Sequence, residues 1–113
     1  MKISVSCAQL LPKLGDRAAN LEKMSAYVER IMAEKPGTNL IVFPELMTSG
    51  YEGTPEMFQE LAETLPNGES MQVMGALAKK HHVHIIYGLP ERDPVLTDVL
   101  YNAAVLINSD GIA

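Results

Sequence analysis

Leu40-Ile41-Val42-Phe43-Pro44-Glu45-Leu46 is the stretch on which the fold turns. Its first four residues form a short, continuous, β-branched-rich apolar run bounded by turn residues, the pattern of a strand covered on both faces. Such strands pair in parallel, and parallel pairing needs a crossover. The residues upstream supply one. From Asp16 onward Leu21, Met24, Val28 and Ile31 recur every three or four positions, with Glu22, Lys23, Glu29 and Arg30 between them, which predicts an amphipathic helix. Gly15-Asp16 provides its N-cap, because the Asp carboxylate accepts from free amides of the first turn, and Pro36-Gly37 stops it near Glu34. Before it, Lys2 to Gln9 alternates, with Ile3, Val5 and Cys7 on one face and Ser4 and Ser6 on the other, a half-buried strand ended by Leu11-Pro12. Strand, helix and buried strand make a βαβ unit, so the fold class is α/β.

Downstream, Met57, Phe58, Leu61, Ala62 and Leu65 predict a second helix that starts near Pro55 and is ended by Pro66-Asn67-Gly68. Ser70 is the expected cap of a third, with Met71, Met74, Leu77 and Ala78 inward. Its last turn carries Lys79, Lys80, His81 and His82, where cations complement the macrodipole. His84 to Leu89 and Asn102 to Ile107 read as further strands, separated by a loop from Pro90 to Leu100. The turn Asn108-Ser109-Asp110-Gly111 normally leads into a partner strand, yet only Ile112 and Ala113 follow, so the chain is expected to be part of a longer protein.

The chain has 113 residues, 47% hydrophobic and 20% charged, the profile of one globular domain. At this size roughly 65% of the unfolded surface is buried on folding, enough for one core without disulfides. The longest apolar run is far short of the ~20 residues that span a bilayer, and no signal-peptide pattern opens the chain, so no membrane partner and a cytoplasmic location are expected. A net charge of -5 without a basic cluster beyond Lys79-Lys80 argues against nucleic acid. The single cysteine, Cys7, excludes an internal disulfide and a multi-cysteine zinc site.

Phe43-Pro44-Glu45-Leu46 places a carboxylate just past the end of a buried strand, where sites in open α/β folds collect. Apolar neighbours Phe43, Leu46 and Met47 are expected to desolvate Glu45 and raise its pKa toward neutrality, as suits a general base or acid. The bland reading is a solvated loop glutamate. Cys7 is expected in the core, inert as a nucleophile, and Lys13, Lys35, Lys79 and Lys80 at the solvated surface. His81, His82 and His84 have poor spacing for a shared ion, so no metal is expected. Core packing accounts for Met24, Met32, Met57, Met71 and Met74. Tyr51-Glu52-Gly53-Thr54 lacks the pattern of a phosphate loop.

The strand ending in Ala8-Gln9, the helix with Gly15-Asp16 and Asn20-Leu21, the run Ile41 to Leu46, and Ser49-Gly50-Tyr51 resemble the opening of the nitrilase superfamily, the carbon-nitrogen hydrolases. Gly88-Leu89-Pro90-Glu91-Arg92, then Tyr101 to Ile107 followed by Ser109-Asp110-Gly111, continue that order and spacing. The resemblance implies an α-β-β-α sandwich, of which residues 1–113 are the N-terminal part of one domain. It also implies a cofactor-free Glu-Lys-Cys site that hydrolyses a small-molecule amide, nitrile or carbamoyl compound. Glu45 matches the family's glutamate, and Tyr51 falls in a loop that lines the substrate pocket. The family's lysine and cysteine lie beyond the Asp-Gly turn, so residues 1–113 alone are expected to be inactive.

Two alternatives stand beside it: a non-catalytic half-domain that serves assembly or ligand binding, and a doubly wound domain of flavodoxin type with helices on both faces of its sheet. Half of a sandwich bares an apolar sheet face, so a homo-oligomer is expected.

Overall fold

The computed structural model describes all 113 residues. In chain order the elements are β1 (Val5–Cys7), α1 (Arg17–Glu34), β2 (Leu40–Val42), α2 (Pro55–Leu61), α3 (Glu69–His81), β3 (His84–Arg92) and β4 (Leu100–Ile107). They form one sheet in the order β1-β2-β3-β4. β1, β2 and β3 are parallel, as the βαβ reading requires, and β4 returns antiparallel along the edge of β3. The expected loop from Pro90 to Leu100 is a shorter hairpin connection, because β3 runs on to Arg92. Asp93 closes it: its carboxylate accepts from the amides of Val95 and Leu96 and from the Tyr101 hydroxyl.

Asp16 caps α1 as its position predicts, with Oδ1 accepting from the Ala19 amide at 3.0 Å. α2 is shorter than its apolar pattern suggests. Thr54 caps it, and it ends at Leu61 because the chain then pairs with β3: Glu63 donates to the Pro90 carbonyl and accepts from the Arg92 amide. Ser70 does not cap α3. The N-cap is Gly68, which has no side chain, and the missing acceptor comes from Glu63, whose Oε1 accepts from the Ser70 amide at 2.8 Å. A side chain at residue 68 would collide with that carboxylate, since a Cβ there would lie 2.4 Å from Glu63 Oε1. The Ser70 hydroxyl instead pairs with the Tyr87 hydroxyl at 2.8 Å.

The core lies on one face of the sheet. Leu21, Met24 and Val28 of α1 and Met71, Met74 and Ala78 of α3 pack there against Ile41, Ile85, Tyr87, Leu89, Val105 and Ile107. Met24, Met71 and Met74 are core residues, as their helical spacing predicts. Neither α1 nor α3 covers the opposite face. The register aligns Cys7, Val42, Ile86 and Leu106 in one row across all four strands. Val5 is 46% exposed and Leu106 is 55% exposed. Cys7 is exposed too, against the expectation that it is buried. The sequence pattern placed it with Ile3 and Val5 correctly, but the helices cover the other face, and Val42 is only half-buried for the same reason. This one-sided layering departs from a doubly wound domain.

Candidate active site

Glu45 stands on a bulge that leaves the end of β2. The Phe43 amide still donates to Ile86 of β3, at 2.8 Å. Gly88 then holds the chain on either side of the glutamate: its amide donates to the Pro44 carbonyl at 3.2 Å, and its carbonyl accepts from the Met47 amide at 2.9 Å. Glu45 and Leu46 are the two residues left over between those bonds. Leu46 takes up the turn with a left-handed φ of 46°. The bulge lies directly over Gly88, where a Cβ would come within 2.7 Å of Glu45 Cα and 2.4 Å of the Leu46 nitrogen. The glycine is therefore required for close approach, not for its dihedral freedom.

The side chain of Glu45 emerges on the face opposite α1 and α3, beside Ile86, Asn102 and Ala104. Its carboxylate receives two hydrogen bonds, from the Tyr51 hydroxyl to Oε2 and from the Asn102 side-chain amide to Oε1. These donors, Tyr51 first and Asn102 second, hold the carboxyl below its ordinary pKa against a smaller opposing effect of burial. The same bond raises the Tyr51 phenol. The expected upward shift of Glu45 is thus corrected. Phe43, Leu46 and Met47 are buried, while the glutamate itself is exposed, so what desolvation it feels is outweighed by its two donors.

The carboxylate borders a hollow of about 310 Å³ lined by Phe43, Glu45, Ile86, Gly88, Asn102 and Ala104, among others. Asn102 also borders a second hollow of about 410 Å³, whose walls include Leu46, Phe58, Leu100 and Tyr101. Neither contains a lysine or a cysteine. Tyr51 is 59% exposed and donates to the acid.

The remaining candidates lie elsewhere. Cys7 is on β1, at the far edge of the sheet from β4. Lys13 pairs with Asp16 at 3.3 Å, and Lys80 with Glu29 at 2.9 Å. His81 Nε2 is 3.1 Å from Glu29 Oε2, and His82 ends α3 in a left-handed conformation, φ 51°. Asn102 was not singled out for a role by sequence reasoning. Its signal is faint: one amide at the head of the set Asn102, Ala104, Leu106 that shares a face of β4.

The carboxylate thus stands at the C-terminal ends of parallel strands, over a sheet that α1 and α3 cover on one face. The carbon-nitrogen hydrolase family model aligns with residues 4–113. The chain belongs to the carbon-nitrogen hydrolase family, within the nitrilase superfamily. It is 45% identical over 111 residues to a probable nitrilase of Schizosaccharomyces pombe, covering 98% of this chain and 40% of that protein. With the omega-amidase Nit3 of Saccharomyces cerevisiae it shares 36% identity over 114 residues, covering 97% of this chain and 38% of the relative. The crystal structure of Saccharomyces cerevisiae Nit3, a member of branch 10 of the superfamily, superposes with a TM-score of 0.84 at 34% identity, covering 96% of this chain and 41% of that one. The chain thus spans about two-fifths of the length of the relatives it matches.

Proposed function

We propose that this chain forms the acid-bearing part of an enzyme that hydrolyses a small amide, nitrile or carbamoyl compound, with Glu45 as its general base. The reading rests on one observation: the Glu45 carboxylate is exposed at the rim of a hollow, yet held by two donors that favour its charged form. A carboxylate that is ionised at neutral pH is ready to accept a proton. Each oxygen keeps acceptor capacity beyond the one bond it makes here.

In the mechanism this supports, Glu45 takes the proton of a cysteine thiol as the sulfur attacks the substrate carbon. With an amide or carbamoyl substrate, Glu45 returns that proton to the leaving amine, and a thioester remains. Glu45 then takes a proton from water as the water attacks the thioester, and gives it to the cysteine sulfur as the acid product departs. A lysine ammonium stabilises the negative oxygen of each tetrahedral intermediate. The thiol and the ammonium lie outside residues 1–113 in this reading, since the hollow beside Glu45 is lined by neither. Residues 1–113 are then the N-terminal part of one catalytic domain, and alone they have no turnover. No helix is long and apolar enough to cross a membrane. The proposed reaction acts on a dissolved small molecule in the cytoplasm. A purely structural half-domain would account for the bare sheet face but not for the clasped carboxylate.

The test is ammonia release by the natural gene product from panels of small amides, nitriles and carbamoyl compounds, with the Glu45→Gln variant alongside. Turnover that falls about 10²- to 10⁴-fold in the variant supports the reading. Turnover that Glu45→Gln leaves intact, or none on any panel, overturns it.

A further inference from the structure

We propose that Asn102 is a positioning residue for the Glu45 carboxylate, fixing from β4 the direction in which the acid accepts a proton. The inference rests on the assignment of Glu45 as general base and adds a residue to it.

The two residues are 57 positions apart, and the strand register brings them together. Asn102 faces Pro90 across the β3–β4 pair. Pro90 has no amide proton, and its carbonyl accepts from Glu63 on the other side, so no ladder hydrogen bond joins this pair. Opposed residues of such a pair approach most closely, and their side chains share a face. Gly88 and Ala104 are the next such pair along the strands, and both are small. The Glu45 bulge fills the space over Gly88, so the carboxylate comes down beside the first long polar side chain of β4, which is Asn102.

The clasp also has a division of labour. Tyr51 belongs to the same loop as the glutamate, only six residues away. Asn102 is on the sheet. Of the two donors it alone ties the acid to the rigid part of the molecule, and an amide held at Oε1 decides how the carboxylate plane stands over the hollow. An aspartate at this position would set two carboxylates against each other in place of a donor and an acceptor.

The experiment uses the natural gene product with Asn102→Ala and Asn102→Asp, and measures kcat, KM and the pH profile of kcat/KM. Asn102→Ala is expected to lower kcat by about 10- to 100-fold, the loss of one hydrogen bond to a charged group, with KM changed less than threefold. Its acid limb moves to higher pH. Asn102→Asp is expected to lose more at neutral pH than Asn102→Ala. Carboxyl ¹³C NMR titration of Glu45 supplies an arm that needs no turnover: the midpoint rises in Asn102→Ala while helical circular dichroism is unchanged. Wild-type values of kcat and of the Glu45 midpoint in Asn102→Ala would overturn the inference. If Glu45→Gln abolishes turnover while Asn102→Ala does not reduce it, only this inference fails. If Glu45→Gln is fully active, the assignment of the base fails first.

Discussion

Gly88 and Glu45 occupy one space: a Cβ on the glycine would stand 2.7 Å from the Cα of the glutamate. The sheet therefore receives the acid-bearing bulge only because residue 88 has no side chain. Both backbone groups of Gly88 are also spent on the bulge, one on each flank of the acid. We expect Gly88→Ala to displace Glu45, lowering stability by about 1–3 kcal/mol and kcat by roughly 10²-fold. Denaturant midpoints and steady-state kinetics check both, and an alanine variant with native kinetics would show that the bulge relaxes freely.

Tyr51 supplies the larger of the two effects that lower the Glu45 pKa. In Tyr51→Phe that midpoint rises toward the ordinary glutamate value. The sign for stability follows from the depression: the bond contributes above the unfolded pKa and its contribution disappears as pH falls through the folded one. The variant is therefore expected to lose less stability than wild type on acidification through that range, and to show an acid limb of activity at higher pH. An unmoved NMR midpoint for Glu45 would refute this.

Glu63 is buried, with Oε1 on the first turn of α3 and no protein donor at Oε2. Its work is that of a helix cap delivered from a distance. Glu63→Ala strands the Ser70 amide and is expected to cost about 1–3 kcal/mol. Glu63→Gln keeps an oxygen acceptor and removes a buried charge, so it should stay within about 1 kcal/mol of wild type. Equal losses in the two variants, by chemical denaturation, would mean that packing and not capping is what Glu63 supplies.

Tyr87 is buried against Ser70, and burial pushes its phenol up to about 12. The folded state keeps this proton where the unfolded state has released it, so stability falls as pH rises from about 10 toward 12, by at most about 1.4 kcal/mol per unit. Tyr87→Phe should flatten that alkaline decline while costing about 1 kcal/mol at neutral pH. Identical alkaline slopes in the two proteins would assign the decline to other groups.

The sheet face opposite α1 and α3 predicts behaviour as well. Residues 1–113 expressed alone should self-associate through the row that includes Val42, Ile86 and Leu106. Lysine at the exposed positions Val5 and Leu106 should reduce that association without loss of helix. Light scattering decides it, and a monodisperse monomer in the unsubstituted chain would contradict the proposal.

What the sequence made legible was local. The βαβ unit could be read because the periods of β1, α1 and β2 change within a few residues of their boundaries, and Glu45 because it directly follows a buried strand. What stayed hidden depends on partners far along the chain. Ser70 has the look of a cap, and only the folded chain brings up Glu63 to replace it. Cys7 was assigned to the right side of its strand, but no pattern in β1 tells which side the helices take. The expected direction of the Glu45 pKa fails because Phe43 and Met47 adjoin it in sequence while the glutamate itself stays exposed and hydrogen-bonded. Asn102, arriving from another strand, helps set the actual sign.

The sheet face opposite α1 and α3 has a consequence for the acid itself. Glu45 stands at its margin, on the same side as Ile86, Ala104 and Leu106, where it is exposed. Anything that settles on that surface withdraws water from the carboxylate and works against its two donors, moving its titration upward. The ionisation of one side chain thus becomes a gauge of how completely the sheet has been sealed.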